Sequence, residues 1–135
     1  MSPTSLEALI RRYYDAWQRN DHDALSAMLA PNAVNHLLET GERRDAHFFE
    51  LSTCELWHSS FTEVRITFLK IVPSEDHVSA VWTLDSLHSA EFLRLPATGK
   101  RVHVPGIETV RVADGRITDI WRIFDQSVLM QQLRG

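Results

Sequence analysis

The sequence has few of the features that would place a protein outside the cell or in a membrane. Its only cysteine is Cys54, so no disulfide can form within the chain, and we expect a reducing compartment, the cytoplasm. No run approaches the ~18 consecutive apolar residues of a membrane-spanning helix. The first residues also lack the basic and apolar segments of a signal peptide. We therefore expect no association with a membrane.

Basic residues are also in short supply. Lys and Arg number 14 against 18 Asp and Glu, which gives a net charge of −4 at pH 7. Nucleic-acid-binding domains usually carry a basic excess, because phosphate contacts supply much of their affinity. We expect no nucleic-acid partner.

The motifs of metal and nucleotide chemistry are missing as well. The 7 histidines are scattered, and no HxH, HxxxH or HExxH occurs. The patterns GxGxxG, GxxxxGK(S/T) and GxSxG are absent too. We therefore expect no metal and no cofactor, so that any catalysis would be acid–base or electrostatic. Cys54 is interpreted as a small packed residue, and His47 and Glu50 as part of a solvated helix face.

What is present is the composition of one globular domain over residues 1–135. Hydrophobic residues make up 44% of the chain and charged residues 24%, which is typical of a folded protein. A chain of this length can bury a hydrophobic core without disulfides or metals.

The first half of the chain has the pattern of three helices. Thr4 and Glu7 have the spacing of a capping box, and apolar residues then recur every three to four positions over residues 6–17. Asp21 or Asp23 can cap a second, short helix that ends before Pro31. A short strand over residues 33–38 and a third helix after residue 41 follow.

The second half alternates between apolar and polar residues, as strands with one wet face do. Turn residues interrupt this alternation at 73–76, 96–99 and 113–115. Helices followed by an antiparallel meander predict an α+β fold. A sheet that curls around helices on one side would leave an apolar pocket between the layers.

The last of these turns places two charged residues on one apolar face. If residues 113–115 form a three-residue turn, Val112 pairs with Arg116, and Glu108 lies opposite Ile120. Glu108 and Arg122 are then diagonal neighbours. One interpretation is a structural ion pair, or an exposed face in a different register. The other makes Glu108 an acid or base of tunable pKa and Arg122 a cation for a developing oxyanion.

Other polar and aromatic residues are candidates for the same pocket. His88 ends a strand and would shuttle a proton if the strand register brings it to Glu108. Asn35, in an apolar strand, is either a satisfied core residue or a hydrogen-bond partner of the substrate. Asp125 is interpreted as the cap of a last helix. The aromatic residues expected to contact a substrate are Tyr14, Trp57, Trp82 and Phe124.

Several short motifs spread over the chain carry a family resemblance. They are Arg11-Arg12, residues 31–35, His88 before Phe92, the LPATGKR segment at 95–101, Pro105-Gly106-Ile107, Arg111, DGRI at 114–117, Trp121, and FDQ at 124–126 followed by QQL at 131–133. With them the chain resembles the SnoaL-like polyketide cyclases of the NTF2-like superfamily.

The resemblance implies an α+β cone, in which a curled antiparallel sheet and three helices enclose a deep apolar pocket, usually in dimers. The named cyclases of that family close a ring by intramolecular aldol condensation without metal or cofactor, using an aspartate and a histidine. Here Arg122 stands at the aspartate position, Glu108 at the histidine position and Ile120 at a second histidine position, while Asn35 is retained. The aldol mechanism therefore does not transfer as it stands.

From these observations we expect a cofactor-independent enzyme of secondary metabolism that acts on a hydrophobic, polyketide-type small molecule by cyclisation, isomerisation or epoxide opening. The epoxide hydrolases of the superfamily, with carboxylates organised by an arginine, loosely match the pair Glu108–Arg122. The alternative is a protein that binds a small molecule without catalysis, or an accessory domain. We also expect a homodimer through the outer face of the sheet, where Ile107, Trp121 and Ile123 would otherwise be exposed. Because burial and Arg122 act in opposite directions, we expect Glu108 to be ionised near neutral pH.

Overall fold

The computed structural model describes all 135 residues, which form four helices and six strands. In chain order these are α1 (Pro3–Gln18), α2 (His22–Met28), β1 (Leu29–Leu37), β2 (Arg43–Asp45), α3 (Ala46–Ser60), β3 (Phe61–Ser74), β4 (His77–His88), β5 (Arg101–Ala113), β6 (Arg116–Phe124) and α4 (Gln126–Arg134). The three helices predicted in the first half and the terminal helix are all present. The three-residue strand β2 was not predicted.

The helix starts are fixed by short polar side chains. The predicted capping box of Thr4 and Glu7 is wrong: Ser2 is the N-cap of α1, and its hydroxyl accepts the backbone N–H of Ser5. The reason is that Pro3, whose fixed φ suits the first helical position, starts the helix before Thr4. Aspartates cap the other three helices in the same way, and Asp125 at the start of α4 was predicted in this role.

The six strands form one curled, open sheet in the order β2-β1-β6-β5-β4-β3. All neighbouring pairs are antiparallel except β1 and β6, which are parallel. The fold is thus the predicted α+β cone, with one parallel contact that the meander pattern did not predict. This contact brings Asn35 on β1 beside β6, where it pairs with Ile120.

The hairpin between β5 and β6 differs from the prediction. Its turn has two residues, Asp114 and Gly115, which both have positive φ angles (53° and 76°), as type I′ turns require. Ala113 therefore pairs with Arg116. A bulge shifts the register between Arg111 and Val112. As a result Glu108 pairs directly with Arg122, not with Ile120.

The helices cover one face of the sheet and enclose the core with it. α1 packs against β3 and β4, α3 against β1 and β3, and α4 against β5. Among the largest fully buried side chains are Leu9, Ile10 and Tyr13 of α1 and Ile117 and Ile120 of β6. None of the helices is both long enough and apolar enough to cross a membrane.

Candidate functional site

A cavity of about 720 Å³ opens between the inner face of the sheet and the helices. Ten of its 17 lining residues are hydrophobic. The five residues predicted to contact a substrate all line it: Tyr14, Asn35, Trp57, Trp82 and Phe124. The cavity has the size and the apolar walls of a small-molecule site. That these residues bind a substrate stays a prediction.

Aromatic rings form much of the cavity wall. The rings of Trp82 and Phe124 are stacked with centroids 6.2 Å apart, and Trp57 meets Phe124 edge-on at 5.7 Å. Tyr14 lies 5.4 Å from Trp82. Such rings bury large apolar areas in defined geometries, so the wall has a fixed shape.

A buried ionic group lies at the inner side of this cavity. Arg122, on β6, lines the cavity and donates from Nη2 and Nη1 to the two carboxylate oxygens of Glu50 at 2.6 and 2.8 Å. Its Nε donates to Oε1 of Glu108 at 3.0 Å. The Arg122 side chain is 14% exposed, whereas both glutamate side chains are 0% exposed. One guanidinium therefore holds two buried carboxyl groups.

Two neutral side chains complete this group around Glu50. The Tyr13 hydroxyl donates to Oε1 of Glu50, and the Asn35 amide donates to its Oε2 at 3.1 Å. Glu50 thus accepts four hydrogen bonds, two of them from Arg122. We call Tyr13, Asn35, Glu50, Glu108 and Arg122 the buried ionic group.

Glu50 is the residue that the sequence interpretation missed. It was assigned to a solvated helix face with His47, but it is fully buried, because α3 turns this face toward β1 and β6. A signal was present in the helical spacing of the buried residues of α3: Ala46, Glu50, Cys54 and Trp57. A carboxylate within an apolar stripe of period near 3.6 needs a buried partner.

The two glutamates of the buried ionic group differ in their pKa values. Burial acts to raise the pKa of Glu50, but the charge of Arg122 and the hydrogen bonds that Glu50 accepts outweigh it, so its pKa is lowered. At Glu108 burial outweighs the charge and the hydrogen bond of Arg122, and its pKa is raised. Burial and Arg122 thus act in opposite directions at Glu108, as expected, with burial the larger of the two effects. That Glu108 is ionised near neutral pH stays a prediction.

Unpaired polar atoms lie in the wall of the cavity and behind it. Tyr14 Oη, Asn35 Oδ1 and Trp82 Nε1, all on cavity-lining residues, have no hydrogen-bond partner. The same is true of Oε2 of Glu108, which is buried behind Arg122. Buried polar atoms without partners are costly and point to a ligand, a water or a proton.

His88 lies outside the buried ionic group. Its Nδ1 accepts the backbone N–H of Thr98 at 3.2 Å, and its ring packs 5.1 Å from Phe61. It is fully buried and does not line the cavity. The structure thus gives His88 contacts that hold the segment after β4, and does not bring it to Glu108.

Asp125 both caps α4 and lines the cavity. One of its carboxylate oxygens accepts the backbone N–H of Val128 at 3.0 Å and caps α4, as predicted. The same residue lines the cavity next to Phe124. Asp125 is therefore a carboxylate that the cavity itself presents. No three His, Cys, Asp or Glu side chains come together as a set of metal ligands.

Comparison with known proteins gives a consistent result. Residues 7–133 match the family model described as SnoaL-like polyketide cyclase. Among solved structures, IdmH, "a putative polyketide cyclase from Streptomyces antibioticus", is 29% identical with a TM-score of 0.86, over 96% of this chain and 98% of that one. AclR from Streptomyces galilaeus is 22% identical with a TM-score of 0.90, over 98% of this chain and 83% of that one. No curated protein sequence matches.

Proposed function

The chain belongs to the SnoaL-like polyketide cyclase family, and from this premise we propose that it is a cofactor-independent enzyme that performs acid–base chemistry on a hydrophobic, polyketide-type small molecule. The single observation that carries the proposal is the position of Arg122, which is anchored by two buried carboxyl groups and faces a largely apolar cavity. The reaction would be one that develops negative charge on a substrate oxygen. Cyclisation, isomerisation and epoxide opening all meet this condition.

Arg122 is the oxyanion-binding group in this proposal. A guanidinium has five N–H donors, and three of those on Arg122 are used by Glu50 and Glu108. One N–H on each terminal nitrogen is not used by the glutamates. These two groups lie on opposite edges of the planar guanidinium, so a substrate oxygen would accept from one of them. Because Glu50 and Glu108 hold the guanidinium in place, little reorganisation is needed as charge develops on that oxygen.

Two carboxyl groups are the candidates for proton transfer. Glu108 lies behind Arg122, where burial raises its pKa and leaves Oε2 without a partner, so it is a candidate to take up a proton as an oxyanion forms beside Arg122. Asp125 lies in the cavity wall and has one oxygen that the helix cap does not use. His88 has no part in this proposal.

The oxyanion role is tested with 7-hydroxycoumarin, a bicyclic phenol whose ionised form has its own absorption. We expect the phenol to ionise at lower pH when bound to the protein than when free, because Arg122 stabilises the phenolate. Arg122→Met should abolish this shift. Arg111→Met, a matched change on the exposed outer face, should leave it intact. An equal shift in wild type and in Arg122→Met would overturn the proposal.

Catalysis is tested by the exchange of α-hydrogens of the bicyclic ketone 2-tetralone in D₂O, followed by NMR. Exchange breaks a C–H bond, moves the proton to a base and leaves negative charge on oxygen. We expect the wild type to accelerate it and Arg122→Met to lose the acceleration. The exchange rates of Glu108→Gln and Asp125→Asn identify the carboxyl group that takes the proton. An asparagine at position 125 can still cap α4. Equal exchange rates of 2-tetralone with and without the protein would contradict the proposed acid–base chemistry.

A second candidate function is the binding of a small molecule without catalysis. It is favoured by the full burial of both glutamates, which is also what a structural ion pair would show. Binding of 2-tetralone without any accelerated exchange would support this second function.

We also propose a homodimer through the outer face of the sheet. Ile107 and Ile123 are 48% and 47% exposed on that face, and Trp121, on the same strand as Ile123, pairs with Thr109 of β5. A second copy of the chain would cover this apolar surface.

A further inference from the structure

Gly106 and Trp82 are paired on neighbouring strands beneath the cavity. Trp82 on β4 pairs with Gly106 on β5, and Gly106 pairs in turn with Phe124 on β6. A Cβ atom at Gly106 would lie 2.4 Å from Cη2, 2.6 Å from Cζ2 and 2.7 Å from Cζ3 of Trp82. The indole ring thus fills the space that any side chain at residue 106 would need.

The backbone gives no other reason for glycine at this position. The φ angle of Gly106 is not positive, unlike those of Gly41, Gly99 and Gly115. A residue with a side chain could therefore adopt the strand conformation of Gly106 without strain. The requirement for glycine comes from the ring of Trp82.

The Trp82 ring also forms part of the cavity wall. Trp82 lines the cavity, as do Phe124, which stacks with it, and Tyr14, whose ring centroid is 5.4 Å away. Close-packed rings of this kind cannot shift without moving their neighbours. If the indole were lifted from Gly106, it would move into the cavity.

We propose that Gly106 is a positioning residue that sets the size specificity of the site. Because Gly106 has no Cβ, the Trp82 ring lies directly against the β5 backbone. How close the ring lies to this backbone decides how large a fused-ring ligand the cavity admits. The inference rests on the proposed function only in that the cavity binds a hydrophobic ligand, and it does not depend on catalysis.

The test compares two probes that carry one hydroxyl each, the two-ring 2-naphthol and the four-ring 1-hydroxypyrene, by titration calorimetry. In Gly106→Ala we expect the affinity for 1-hydroxypyrene to fall about 10- to 200-fold, the range for one methyl-sized change in an apolar pocket. The affinity for 2-naphthol should change little. Trp82→Leu removes the ring that the new methyl group would meet, so in the double variant the affinity for 1-hydroxypyrene should return to that of Trp82→Leu alone.

Gly115→Ala is the matched control. Gly115 has a φ of 76° in the hairpin turn, where a Cβ would meet nothing within 4 Å. This variant should lose stability through backbone strain while keeping the wild-type ratio of the two affinities. A general loss of stability is thereby separated from a change in the size of the cavity.

Three results would overturn the inference. The first is an unchanged ratio of affinities in Gly106→Ala, and the second is a loss of the large probe that Trp82→Leu does not restore. The third is a wild type that binds neither probe, which would also contradict the proposed ligand cavity. If Gly106→Ala does not fold, Trp82→Leu is compared with the double variant instead. A weaker affinity of the double variant for 1-hydroxypyrene is then the form that the second result takes. Probe binding without exchange of 2-tetralone would remove only the proposed catalysis.

Discussion

Replacement of Arg122 by Met tests the charge balance of the buried ionic group. Methionine keeps the apolar part of the side chain but removes the cation that contacts Glu50 and Glu108 at distances of 2.6–3.0 Å. Removing one partner of a buried ion pair costs about 3–5 kcal/mol. Because two buried carboxyl groups lose the same partner here, we expect a loss near the upper end of that range at neutral pH. This is a large part of the ~5–15 kcal/mol that stabilises a typical domain.

The pH dependence of this loss follows from the directions of the pKa shifts. In the wild type the pKa of Glu50 is lowered, so its stabilising contribution is present above the unfolded pKa of ~4.3 and is lost as the pH falls through the lower folded value. The pKa of Glu108 is raised, so its contribution is present below ~4.3 and is lost as the pH rises through the folded value. Without Arg122, burial raises the pKa of both carboxyl groups, so the contribution of each to stability is lost as the pH rises, as it is for Glu108 in the wild type. The deficit of the variant should therefore shrink between about pH 8 and about pH 5.

Urea unfolding, followed by tryptophan fluorescence at both pH values, measures this deficit. Arg111→Met is the matched control, because Arg111 is exposed. Its removal leaves Asp76 in contact with solvent and Asp119 with its contacts to His36 and Thr118. Adding Glu50→Gln and Glu108→Gln to Arg122→Met should restore much of the lost stability, since no buried charge is then left. A deficit below about 1 kcal/mol, the size of a surface ion pair, or one that is equal at both pH values would refute the reasoning.

The remaining predictions concern other parts of the site and the assembly. Glu108→Gln keeps the shape of the side chain but removes the titratable proton. If Glu108 takes the substrate proton, exchange of 2-tetralone should fall about 10²–10⁴-fold with little change in 7-hydroxycoumarin affinity; full exchange activity would leave Asp125 as the base and Glu108 as a structural partner of Arg122. Tyr13→Phe removes a donor to Glu50 and should cost about 1–3 kcal/mol in urea unfolding, and an unchanged unfolding midpoint would contradict this. Light scattering should give twice the chain mass of 15.5 kDa, whereas the mass of one chain would count against the dimer.

Much of the fold was predictable because its signals are local. The helix caps, the turn residues and the change from helical to strand alternation all act over a few neighbouring residues. The start of α1 was misplaced by two residues, because Ser2 and Pro3 compete with Thr4 for the same capping role. β2, with three residues and no buried side chain, has no apolar pattern that could reveal it.

The candidate site was predictable in part. Glu108 and Arg122 were found because two charges interrupt an apolar strand face, and that argument holds in either register of the hairpin. The register itself was wrong, since a two-residue turn and a bulge after Arg111 depend on backbone angles that the sequence does not state. Glu50 was missed because the helical spacing that it shares with the other buried residues of α3 was not recognised, and because its ionic partner lies 72 residues away.

The parallel contact between β1 and β6 has a consequence for how the protein folds. β3, β4 and β5 each pair with the next strand along the chain, so the meander from β3 to β6 can form by successive short closures. β1, which pairs locally only with the three-residue strand β2, joins the rest of the sheet through β6, the last strand in the sequence. The ion pair between Glu50 and Arg122 also needs β6, since the two residues are 72 positions apart. Contacts of such sequence separation form late, because their loop entropy is lost before their energy is gained. During synthesis on the ribosome, Glu50 of α3 would therefore lack its guanidinium partner until β6 has left the ribosome. The cavity would then be completed by the same step that completes the domain.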